Sequence, residues 1–80
     1  MMTDAAKIEC EPAASIVAKL GGETATARIA GCTRQEVHRW QRPRERRGTG
    51  GIIPMRRAKA ILDWAREHGR DLTEAEFFPR

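Results

Sequence analysis

The sequence predicts a small all-α domain, a compact four-helix helix-turn-helix unit closed by a short C-terminal helical turn. Three observations carry that expectation. Apolar residues recur at helical spacing in segments punctuated by Gly and Pro. Two Thr-x-x-Glu capping boxes, Thr33 with Glu36 and Thr73 with Glu76, each stand beside a hydrophobic pair at staple spacing, Cys32 with Val37 and Leu72 with Phe77. No strand candidate survives, because Ile52 and Ile53 are cut off by Pro54.

Taken in order, residues 1–11 show no periodicity and are expected to form a flexible N-terminal arm, with a single domain over 12–80. Pro12 suits the first position of a helix, where its missing N–H costs nothing, and Ile16, Val17 and Leu20 form the apolar stripe that follows. Gly21 and Gly22 end that helix, the first in the left-handed conformation. A short helix over 24–30 is built from Ala25, Ala27 and Ala30, with Ile29 its bulky apolar group, so a neighbouring helix can approach closely. Gly31 makes the turn and Thr33 caps a third helix over 33–41, with Glu36 expected to fold back onto the Thr33 N–H. Val37 and Trp40 face inward there, which leaves Arg34, Gln35, His38 and Arg39 outward. Pro43, Gly48, Gly50 and Gly51 exclude regular helix from the Arg-rich loop over 41–53. Pro54 restarts a helix whose stripe is Ala58, Ile61, Leu62 and Ala65, with Trp64 at its edge, His68 as a cap and Gly69 as the stop. The closing turn at Thr73 should set Phe77 or Phe78 against the core.

Eighty residues, 40% apolar and 32% charged, fit one domain with little room for a catalytic cleft. His38 has no paired Ser or Cys and no acidic orienter, so no enzyme activity is expected. Cys10 and Cys32 lack a CxxC pair or a His at ligand spacing, and they read as small buried hydrophobes or, for Cys10, as a residue of the N-terminal arm, with no metal and no cofactor. No apolar run approaches the ~20 residues of a membrane span, and the first ten residues lack a leader pattern; the expected location is the cytoplasm.

Charge is distributed unevenly. Residues 34–59 hold nine Arg or Lys against Glu36 and Glu45, while the other 54 residues carry six basic and nine acidic groups. A cationic third in a mildly anionic chain concentrates positive potential on one face, as a polyanion-binding surface requires.

The stretch ETATARIAGCTRQEVHRW, residues 23–40, resembles the helix-turn-helix of phage Cro proteins and small repressors, through Ala27, Gly31, an apolar Cys32, and buried positions at Val37 and Trp40. The preceding IVAKLGG, the later GTGGIIP and the closing LTEAEFF are similar to the small bacterial and prophage proteins of the carph-isopro group, so the resemblance spans residues 13–78. It implies that Arg34, Gln35, His38 and Arg39 occupy base-reading positions and that Thr33 touches a phosphate.

The residue chemistry agrees with that implication. Arg donates two hydrogen bonds to guanine O6 and N7, and Gln pairs both ways with adenine N6 and N7. Arg42, Arg44, Arg46 and Arg47, directly after the reading helix, would follow the sugar-phosphate backbone, with Arg56, Arg57 and Lys59 extending the strip and Thr24 and Thr33 adding hydroxyl contacts. Glu36 is the discordant charge; capping accounts for it, and cytosine N4 is the alternative. The expected function is a double-stranded DNA-binding transcriptional regulator, a Cro-like repressor pairing as a homodimer on half-sites about 34 Å apart, nucleoid-associated when bound and without a small-molecule substrate. Two rivals keep the fold: a protein-interaction module or antitoxin acting through the apolar C-terminus, and a nonspecific nucleic-acid binder using the arginines alone.

Overall fold

The computed structural model describes residues 10–78, and among them the chain is all-helical, with no strand. Short turns join helix α1 (Ala13–Lys19) to α2 (Glu23–Ala30) and α2 to α3 (Arg34–Trp40), a longer loop leads from α3 to α4 (Met55–Glu67), and 3-10 turns stand at Arg44–Arg46 and Glu74–Phe77. One core holds them: Ile16 and Val17 of α1, Leu20 at its C-cap, Ala27 and Ala30 of α2, Val37 and Trp40 of α3, and Ile61 of α4 are all buried, and Phe77 joins them from the C-terminal turn. Each lies on the stripe that the apolar spacing picks out, and burying those stripes against one another is the main favourable term for helices this short.

Residues 1–9 of the expected arm lie outside the described residues, but Cys10 and Glu11 belong to the domain. The Cys10 N–H donates to the Gln41 carbonyl at 2.7 Å, and the Glu11 carboxylate accepts the Ser15 N–H at 3.1 Å. Glu11 thereby satisfies one of the orphan donors of the first turn of α1, and Pro12 precedes the first helical residue instead of occupying it.

The α2–α3 connection follows from its residues. Small side chains at Ala27 and Ala30 leave α2 close to its neighbours, and Thr26, fully buried, is tolerated because its hydroxyl donates to the Gly22 carbonyl at 2.7 Å. Gly31 takes φ 75°, the left-handed conformation that lets its N–H reach back to the Ala27 carbonyl at 2.9 Å. Thr33 then caps α3, its hydroxyl accepting the Glu36 N–H at 3.1 Å.

The reciprocal half of that capping box does not form. The Glu36 carboxylate instead accepts from Arg57 of α4, Nε at 3.0 Å and Nη2 at 3.5 Å, while Arg57 Nη1 donates to the Gly31 carbonyl at 3.3 Å and the Ala30 carbonyl at 3.5 Å. A guanidinium offers the carboxylate a charge-assisted bond and at the same time satisfies the orphan carbonyls ending α2, which a backbone N–H cannot do. Arg57 thus ties three helices together.

The Arg-rich loop folds back over the end of α3. Its amides serve the orphan carbonyls there: Thr49 N–H donates to Arg39 at 3.0 Å and Gly51 N–H to Trp40 at 2.8 Å. Gly51 is buried with φ 95°, and a Cβ at that position would stand 2.2 Å from the Glu11 carbonyl oxygen, so no other residue fits.

At the C-terminal end, His68 Nδ1 lies 2.8 Å from the Trp64 carbonyl, the cap that its position suggests, and its ring stacks on Trp64 with centroids 4.3 Å apart. Glu76 reaches back to the Thr73 N–H at 2.9 Å and pairs with Lys19 of α1. Of the two candidate anchors, Phe77 is buried and Phe78 is 66% exposed.

Candidate nucleic-acid interface

Positions 34, 35, 38 and 39 of a helix fall within an arc of roughly 140°, and Arg34, Gln35, His38 and Arg39 are all exposed on the side of α3 opposite Val37 and Trp40. Thr24 at the start of α2 and the cap Thr33 are exposed as well.

Two residues that sequence reasoning did not single out organise this face. Glu23, in the first turn of α2, accepts from three side chains of α3 and its C-cap: Arg34 Nε at 3.3 Å, Gln41 Nε2 at 2.9 Å, and His38, whose Nδ1 lies 2.8 Å away. Gln41 is buried, and its amide also donates to the Val37 carbonyl at 3.3 Å. The signal was available, since 34, 38 and 41 form an i, i+4, i+7 row of polar side chains, the spacing at which one acceptor can serve all three. The sequence reading that His38 lacks an acidic orienter is thereby corrected. Glu23 fills that place from α2, fifteen positions away in the chain.

Burial on its own would raise the Glu23 carboxyl, but the His38 hydrogen bond and charge, followed by Gln41 and Arg34, outweigh it and hold the group below the ordinary carboxylate value. A depressed acid stabilises the fold fully above its unfolded value, about 4.3 for Glu, and that contribution is lost as pH falls through the folded value. Glu23→Gln should therefore flatten the fall of melting temperature on the acid side of that value and leave a deficit at neutral pH. A variant whose acid branch matches the parent's would show that the pair adds nothing.

Arg44, Arg46 and Arg47 are exposed and Arg42 is half-buried. Among the described residues none of the four, nor Arg39 or Arg56, forms an ion pair with a carboxylate. The strip at the start of α4 is less open than expected. Arg57 is committed to Glu36 and to the end of α2, and Lys59 pairs with Asp63 at 3.3 Å, leaving Arg56 as the cation of this strip without a carboxylate partner among the described residues. Arg47 is also the one described non-glycine residue at positive φ, 64°.

Cys32 is half-buried against the core, and burial together with Glu36 pushes its thiol up despite Arg57, so it is a poorer nucleophile than a free thiol. No group of three or more His, Cys, Asp or Glu side chains that could hold a metal ion is found among the described residues, and no described helix is long and apolar enough to cross a membrane. Comparison with protein-family models, with curated proteins and with solved structures finds no match to this chain.

Proposed function

We propose that the chain is a sequence-specific double-stranded DNA-binding regulator of the cytoplasm, a Cro-like repressor that needs no cofactor. One observation carries this reading: four exposed side chains able to read base edges stand on α3, and the chain leaves that helix directly into a loop whose arginines have no carboxylate partner within the described protein. Unpaired, clustered guanidinium groups repel one another, and an array of phosphates is the partner that relieves this while keeping their bidentate geometry. Arg34, Gln35, His38 and Arg39 contact bases; Thr24, Thr33, Arg42, Arg44, Arg46, Arg47 and Arg56 contact phosphates. Arg57 supports the fold beneath them. Selection from random duplex DNA at fixed moderate salt tests the reading. It should return one preferred sequence that Arg34→Ala or Gln35→Ala flattens, whereas equal recovery of unrelated sequences would refute it and favour a nonspecific binder.

Affinity from one small module is limited, and two copies on adjacent half-sites supply the rest. The seat we assign to the second copy is an apolar groove of about 670 Å³ between α4 and the C-terminal turn, floored by Ile53, Leu62 and Phe77. Met55 and Phe78, the exposed large hydrophobics of the described chain, lie on it. Its rim carries Lys59 and Arg66 alongside Asp63 and Glu74, a balance of signs that suits a two-fold copy of itself better than a partner of one charge. Sedimentation should show a concentration-dependent dimer that Phe78→Ser weakens at least tenfold. A monomer both free and on DNA would exclude pairing, and would leave the groove to a different protein, as the interaction-module reading requires.

A further inference from the structure

The residue that most shapes the reading face is an anion that a DNA-binding surface has no evident use for. Glu23 is on α2, yet its carboxylate engages Arg34 and His38, two of the four exposed side chains of the α3 row. We infer that Glu23 sets part of the base preference of this face by holding the neutral His38 ring with its proton on Nδ1, which leaves Nε2 as an acceptor.

The chemistry is that of a histidine whose tautomer is chosen by a second residue. A carboxylate has no proton to give at neutral pH, so a neutral imidazole 2.8 Å from it places its N–H at that nitrogen. The other ring nitrogen can then only accept. In the major groove the groups that donate to it are the exocyclic amines, N6 of adenine and N4 of cytosine, whereas guanine N7 and O6 and thymine O4 are themselves acceptors. His38 therefore selects adenine or cytosine on the strand it meets. Arg34 is steered in the same way: Nε is spent on Glu23, and its two terminal nitrogens remain for guanine. The arrangement also accounts for the tolerance of a negative charge here, since Arg34 and the amide of Gln41 complete its hydrogen bonding and lower its repulsion of phosphate. Glu23 acts through its neighbours and is a positioning residue. The inference rests on the DNA-binding reading proposed above, but half of its test does not.

That half is the state of the ring in the protein without DNA. Ring-nitrogen NMR well above the ordinary histidine range, ~6.5, should report the Nδ1–H tautomer of His38 in the parent chain and a mixture of tautomers in Glu23→Ala. Glu23→Gln, near-isosteric and able either to donate or to accept, should also lose the single tautomer, and it guards against an alanine variant that fails to fold once Gln41 loses its partner. The DNA half is selection at the same pH with the parent, Glu23→Gln and His38→Ala. Removing the carboxylate should cost roughly 2- to 12-fold in discrimination at one base pair, the range of a single hydrogen bond, with affinity for random duplex unchanged or higher because an anion is gone. In the His38→Ala background the Glu23 change should have no further effect at that base pair, the pattern of two residues acting as one. An Nδ1 without the proton in the parent, or a ring signature identical in all three forms, overturns the inference whatever the DNA does. A released ring with base preference intact overturns it too. A parent with no preferred sequence defeats the DNA-binding reading and the specificity role together, and the ring spectra tell that failure apart from the first.

Discussion

Trp40→Ala is expected to cost about 3–5 kcal/mol in equilibrium unfolding. Against a total of about 5–15 kcal/mol for a domain of ordinary stability, the variant should be close to unfolded at physiological temperature. The indole is 1% exposed and is the largest fully buried side chain of the fold, in an 80-residue chain with few other large groups to collapse into the space. The position also carries more than packing. Its carbonyl accepts from Gly51 N–H at 2.8 Å and from the Thr49 hydroxyl at 3.2 Å, so the end of α3 that the indole pins is the point from which the loop hangs. Trp40→Phe should cost markedly less than the alanine change. It keeps an aromatic ring in the core, and the indole N–H that it deletes has no acceptor among the described residues, so no hydrogen bond is lost. Chemical denaturation of the two variants decides this. Equal losses would mean that ring volume is not what the site needs.

The contrast between what was and was not legible in the sequence has a physical basis. Helix positions, the Thr33 cap, the Gly31 turn and the buried stripe of α4 were readable, because each depends on residues within a turn or two of one another. Partner choice was not. Glu36 stands three residues from Thr33 and twenty-one from Arg57, and it takes the distant guanidinium because charge and two orphan carbonyls favour that geometry. The same holds for Glu23, which the local pattern describes only as a favourable first-turn acid, and for the choice of Phe77 over Phe78, which the staple spacing predicts but the neighbouring aromatic obscures. The loop over 41–53 holds no α-helix, as its Pro and Gly require, but it does carry the 3-10 turn at Arg44–Arg46, and its folding onto the carbonyls that end α3 needs the chain reversal at Gly48 to Gly51 to be seen in three dimensions. The outward row on α3 was readable for the reason that the core was, since fixing Val37 and Trp40 inside fixes their neighbours outside.

Removing the loop cations together is expected to weaken binding to every duplex sequence alike, and to make the dependence of log affinity on log salt shallower by about 2 to 3, from ~0.9 released counterion for each lost phosphate contact. The variant to use is Arg44→Gln, Arg46→Gln and Arg47→Gly. Its design separates binding from folding. Arg47 sits at φ 64°, a conformation costing a non-glycine residue roughly 1–2 kcal/mol, and the other two side chains are exposed without ion pairs among the described residues. Glycine removes that strain, so the free variant should be no less stable than its parent, and a loss of affinity could not be blamed on unfolding. Retaining a strained arginine where glycine is cheaper is itself a reason to look for a contact made only in a complex. Preference among sequences should survive, because phosphate contacts set position and base contacts set choice. Titrations at several salt concentrations on the preferred and a scrambled duplex read both quantities at once. A triple variant that altered the preferred sequence while keeping the parent's salt slope would show that the loop reads bases, and the roles assigned to loop and helix would have to be exchanged.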